Sequence, residues 1–233
     1  MAAPKKYLAQ LLPEKFYHIY NRTNNKEPLF YSDENKRFFL KQYAKYISPY
    51  ARTYGYNLLG NHFHLVISVR SESEITDHVK GLPRSFITAK ELDLLKRSTD
   101  TLYFGHFIEW QFLRLFTSYS MALNNSLDRK GNLFHKPFKR VEISSDKQFL
   151  QTLLYVHCNA VKHGLVKNVQ DYSWSSYPSY LTDKPTLLEK KYALDLMGGI
   201  EKFIKSHEER LRLFHSQSFT AEKGEAFFRE RNY

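Results

Sequence analysis

The chain has 233 residues, 42% of them apolar, with one cysteine and a formal net charge of +11. That suits one domain with an extension, or two small domains, each able to bury a core. The lone Cys158 excludes an internal disulfide and any cysteine-rich zinc centre, and no apolar run is long enough to span a bilayer. Met1 to Lys6 lacks the apolar stretch of a secretory signal, so a soluble, cytoplasmic protein without a membrane partner is expected. The excess of Lys and Arg favours a polyanion. An aromatic content of 16% adds ring faces on which unpaired bases can stack, and no strongly basic amphipathic anchor is evident. Nucleic acid therefore ranks ahead of anionic lipid.

Phe16 to Arg22 (FYHIYNR) reads as a strand, ended by a run of Asn and Thr. Asp33 is placed to cap a helix over 34–48, with Phe38, Phe39, Tyr43, Tyr46 and Ile47 at helical spacing and Pro49 as its stop. Arg52 to Leu59 and His62 to Val69 read as a hairpin turning at Gly60-Asn61. Ser73 to Val79 suggests a short helix, and 81–106 reads as a mobile connection. Phe107 to Asn125 carries an apolar stripe of Phe112, Leu115, Phe116, Tyr119 and Leu123. After a break at Lys130-Gly131-Asn132, Phe138 to Ile143 is the fourth strand. Ser145 or Asp146 caps a helix that runs to His163 and stops at Gly164. The order β-α-β-β-α-β-α predicts an α+β fold: a ferredoxin-like sandwich of an antiparallel sheet with helices on one face. Two further helices, Thr186 to Met197 and Ile200 to Phe214, form a C-terminal extension. The expected division is 1–181 and 182–233.

His62-Phe63-His64 opens the third strand. Side chains alternate along a strand, so both imidazoles share a face and can chelate one divalent ion. A histidine-triad hydrolase would place a third histidine where this chain has Val66. Tyr155 and Asn159, four apart on a predicted helix, also share a face. A phenol with a pKa of about 10 is a poor nucleophile at neutral pH, and a nearby metal favours its anion and polarises the phosphate it attacks. The amide oxygen of Asn159 can serve as a third ligand. Lys136, Lys139 and Arg140 flank the fourth strand, Lys162 and His163 close the tyrosine helix, and all five are candidate phosphate contacts.

Taken together, these segments resemble a known family. Leu59-Gly60-Asn61-His62-Phe63-His64-Leu65-Val66 resembles the metal-binding strand of the single-tyrosine HUH-class transposases, and Tyr155 to Gly164 resembles their nucleophile helix. Gly131-Asn132-Leu133-Phe134 with Phe138-Lys139, Trp174-Ser175-Ser176-Tyr177, and Tyr17 to Arg22 are similar to further segments of that family, in the same order. The nearest subgroup is the REP-associated tyrosine transposases. The resemblance spans roughly residues 14 to 181 and departs at Ala160, where proline is common.

The resemblance implies a metal-dependent DNA transesterase. Tyr155 is the nucleophile, His62, His64 and Asn159 hold Mg²⁺ or Mn²⁺, and a 5′-phosphotyrosine forms with a free 3′-hydroxyl. It implies single-stranded DNA with hairpin structure as substrate, a prokaryotic, nucleoid-associated setting, and a homodimer as one admissible assembly. The absence of a G-x-x-x-x-G-K-[ST] loop agrees with a reaction that needs no ATP. The rivals are a non-catalytic hairpin-binding protein that keeps the fold, and a metal-dependent nuclease that uses water.

Overall fold

The computed structural model describes residues 7–24, 27–97 and 100–217. Four strands form the sheet: β1 (Phe16–Arg22), β2 (Ala51–Leu58), β3 (His62–Val69) and β4 (Lys139–Ile143). They pair in the order β2-β3-β1-β4, antiparallel throughout. The expected hairpin is present, closed where the Leu59 N–H donates to the His62 carbonyl at 2.9 Å. Both sheet edges are covered, which removes a template for stray pairing. Leu8 bridges to Arg140 on β4, and Leu188 and Ser175 bridge to Thr53 and Asn57 on β2.

The fold is α+β, but helices cover both faces of the sheet, which corrects the expectation of helices on one face. The reason lies in β3, where seven of eight residues are buried; a strand buried on both sides needs a cover on each. On one face α1 (Asp33–Tyr46) and the long α4 (Thr101–Ser126) pack Phe39, Phe112 and Tyr119 against Tyr17, Ile19, Phe63 and Leu65. On the other, α5 (Asp146–Lys162) packs Phe149, Leu153 and Val156 against Tyr54, Val66 and Ile143. The stretch read as a mobile connection is instead structured over its described residues. The short helix expected at Ser73 to Val79 is α2 (Glu72–Gly81); the stretch beyond it contains a 3₁₀ turn at Arg84–Phe86 and α3 (Ala89–Lys96), and α4 begins at Thr101. Capping decides this: Thr88 and Glu91 form a reciprocal box on α3, and the Asp100 side chain accepts from the Tyr103 N–H on α4. At α1 the cap is Ser32, one residue before Asp33.

The position of α5 is held from several sides. Its N-cap Ser145 accepts from the Gln148 N–H. At its C-terminus Gly164, with φ +69, closes a Schellman motif in which Gly164 N–H donates to Val161 O and Leu165 N–H to Ala160 O. A bulge between Thr53 and Gly55 turns Gly55 toward α5. A Cβ there would lie 2.5 Å from Leu153 Cδ1, so only glycine permits this approach. Two residues on, Asn57 Nδ2 donates to the Val156 carbonyl at 2.8 Å. Behind α5 lie α6 (Tyr177–Tyr180), α7 (Lys190–Met197) and α8 (Ile200–Gln217). Leu188 is drawn to the sheet edge, which is why α7 begins later than expected. His157 on α5 bonds His207 of α8 at 2.9 Å and the Ser176 hydroxyl at 2.7 Å. The part of the expected extension beyond residue 217 lies outside the described residues. Among the described residues no helix is long and apolar enough to cross a membrane.

Candidate functional site

The strand register assembles one polar row on the face beneath α5. Asn57, His64, Tyr20 and Lys139 are successive cross-strand neighbours through β2, β3, β1 and β4. Arg22 is paired with His62 at the open end of the same face. The alternation that puts His62 and His64 together also adds Phe16, His18, Tyr20 and Arg22 from β1. The two imidazole rings of the H-x-H pair lie with centroids 5.2 Å apart.

Both histidines are held neutral. Burial lowers the His62 pKa to about 4, and the neighbouring His163, Lys162 and Arg22 push the same way. His64 falls well below the ordinary histidine range, first through burial and then through His18, His62, His163 and Lys162. A neutral imidazole keeps one lone pair for a ligand. For His62 that atom is defined: Nδ1 lies 2.7 Å from the Asn61 amide oxygen. An amide oxygen only accepts, so Nδ1 carries the proton and Nε2 keeps the lone pair.

On α5, residues 155, 159 and 163 are spaced four apart and form one stripe. Tyr155 meets His64 at a centroid distance of 5.5 Å and His18 at 5.9 Å. His163 meets His62 at 5.0 Å. Asn159 sits one turn from each of these contacts. It is completely buried, and neither amide atom has a hydrogen-bond partner among the described residues. Such a group is costly unless something else satisfies it. Among the described residues no three His, Cys, Asp or Glu side chains are grouped to hold a metal ion. A metal at this face would therefore draw on His62, His64 and an amide oxygen. The neutral imidazoles and the orphaned Asn159 fit that role, and an all-neutral set leaves the ion's charge to act on a bound phosphate.

The cations sort by register. Lys139 pairs with Tyr20 on the site face, whereas Arg140 pairs with Ile19 on the opposite face. Arg140 is engaged in an ion pair with Glu109 at 2.7 Å and donates to the Ala9 carbonyl at 2.7 Å. Of these two candidate phosphate contacts, only Lys139 is turned toward the site. Lys136 is exposed just ahead of β4, and the Lys162 ammonium stands 5.5 Å from the Tyr155 ring centroid. Sequence reasoning missed Arg22, His135 and His18, and singled out His163 only as a candidate phosphate contact, not for its packing against His62. Arg22 and Lys139 both act on His135, lowering its pKa after burial does. The strand period of two puts His18 and Arg22 on one face of β1, and the register between β1 and β3 makes that the histidine face. His135 carries no such signal.

No protein-family model matches this chain, and no curated protein matches it in sequence. A solved structure of a REP-associated tyrosine transposase bound to a REP hairpin aligns with a TM-score of 0.46 and 15% identity, over 79% of this chain and 89% of that one. A likeness at that score carries no argument about what this chain does.

Proposed function

We propose that the protein is a metal-dependent DNA transesterase, a tyrosine transposase acting on single-stranded DNA beside a hairpin. Tyr155 is the nucleophile, and residues 1–181 form the catalytic unit, with the helices beyond them bracing α5. The reading is carried by the buried Asn159 amide, which has no partner among the described residues and lies one turn from both Tyr155, which meets His64, and His163, which meets His62. Mg²⁺ or Mn²⁺, held by His62, His64 and Asn159, would supply Lewis acidity to the scissile phosphate. The phenol oxygen of Tyr155 forms a bond to phosphorus and the bond from phosphorus to the 3′ oxygen breaks. The phenol gives up its proton and the departing 3′ oxygen gains one. A 5′-phosphotyrosine then conserves the ester, and attack by a 3′-hydroxyl reverses the step. Lys162 beside the phenol and Arg22 and Lys139 on the sheet supply positive charge where phosphate arrives.

The test is incubation with a hairpin oligonucleotide carrying an unpaired flank, in Mn²⁺, followed by denaturing electrophoresis. Wild type should form a covalent adduct. Tyr155→Phe removes one oxygen, and should still fold and bind while forming no adduct. Cleavage by wild type with no adduct at any time would indicate water as the nucleophile. Binding without cleavage would indicate the hairpin-binding rival. An adduct with Tyr155→Phe would overturn the assignment of the nucleophile.

A further inference from the structure

The mechanism above uses two histidines, yet a third imidazole is buried against them. His18 is 5% exposed on β1, and its Nε2 lies 2.9 Å from Nδ1 of His64. The register explains the contact: His18 pairs with Val66 and Tyr20 with His64, so His18 is the diagonal neighbour of His64 on the same face. The two rings lie with centroids 5.1 Å apart and planes within 22°. Two ring nitrogens at this distance share one proton. If His18 donates, His64 carries its own proton on Nε2 and has no lone pair facing the site. If His64 donates from Nδ1, its Nε2 lone pair is free.

We propose that His18 is a positioning residue that accepts the Nδ1 proton of His64 and so holds His64 in the tautomer whose Nε2 can ligate a divalent ion. This rests on the metal reading given above and adds to it a defined partner for each ligand. Asn61 fixes the tautomer of His62 through its amide oxygen, and His18 does the same for His64 through a ring nitrogen. Groups in this position orient a ligand and raise its basicity, and their loss typically weakens metal binding about 10- to 100-fold. The partners differ in kind. The His62 partner is half-buried beside the turn, while the His64 partner is buried within the sheet and edges against Tyr155 at 5.9 Å. A ring that fixes one ligand thus also packs against the nucleophile.

The experiment needs no DNA. Mn²⁺ binding is measured by calorimetry on the full chain for wild type, His18→Leu, His18→Gln and His64→Ala, with thermal melting of each metal-free protein. Long-range ¹H–¹⁵N spectra of the metal-free wild type report the His64 tautomer. The expected result is that His18→Leu binds Mn²⁺ about 10- to 100-fold more weakly. His18→Gln, whose amide oxygen can accept the same proton, should recover most of that loss, and wild-type His64 should be protonated on Nδ1. A purely structural role would lower the melting temperature without a glutamine rescue of affinity, and that outcome overturns the proposal. So does wild-type affinity in a folded His18→Leu. If His18→Leu does not fold, a wild-type His64 protonated on Nε2 overturns it and one protonated on Nδ1 supports it. Equal Mn²⁺ binding by wild type and His64→Ala would overturn the metal reading along with it, whereas failure of the His18 variants alone leaves that reading intact.

Discussion

Replacing Asn159 with leucine separates what the amide costs from what it is for. The side chain has 0% exposure, and both amide atoms lack a partner among the described residues. A buried polar group left unsatisfied costs about 1–3 kcal/mol, and leucine fills a similar shape with no polar atom. Metal-free Asn159→Leu should therefore be more stable than wild type by about 1–3 kcal/mol, the reverse of the usual effect of a core substitution. For a chain of this size that raises Tm by about 2–12 °C. Adding Mn²⁺ should shrink the difference. A ligand that binds only the folded state at a hundred times its Kd adds about 2.7 kcal/mol, and the variant lacks the third ligand needed to gain it. Scanning calorimetry on both proteins, in EDTA and in Mn²⁺, makes the comparison. A variant that melts below wild type in EDTA refutes the orphaned-amide argument. A variant that gains as much as wild type from Mn²⁺ removes Asn159 from the ligand set.

Lys139→Gln should weaken hairpin binding and lower the slope of log affinity against log salt by about 0.7–0.9, the loss of one phosphate contact. Arg140→Gln should leave that slope alone and instead cost about 1–3 kcal/mol of stability, because it breaks the Glu109 pair and the Ala9 tie; equal slopes in the two variants would undo the register argument. Acid stability should depend on the buried His157–His207 pair. Burial holds His157 well below the ordinary range and His207 down to about 4. Below pH of about 6.5 the unfolded chain therefore binds protons that the folded chain refuses. This contribution is complete above that pH and is lost as pH falls, at about 1.4 kcal/mol per unit and group. Urea midpoints at several pH values should show a shallower acid slope in His207→Gln, and an unchanged slope would contradict the assignment. Gly55→Ala should cost about 1–3 kcal/mol of overpacking, since its methyl would meet Leu153 at 2.5 Å; a variant with wild-type urea stability would mean that α5 shifts freely over β2.

Local chemistry made much of this legible in advance. The period-two alternation of β3 puts His62 and His64 on one face whatever the strand's neighbours are. The spacing of Tyr155 and Asn159 does the same on α5, and the turn at Gly60-Asn61 and the stop at Gly164 are backbone preferences of the residues themselves. Short helices stabilised by a capping pair, as at Thr88 and Glu91, carry too little periodicity to be read from apolar spacing. Which face each helix covers, which cation on β4 meets the site, and which ring bonds His64 are set by register between strands distant in sequence. His18 and His64 are 46 residues apart, and nothing local to either specifies their contact. The extension was legible only as two helices. Its burial of His207 against the helix that carries Tyr155 depends on a packing choice among apolar faces, and only the tertiary structure makes that choice.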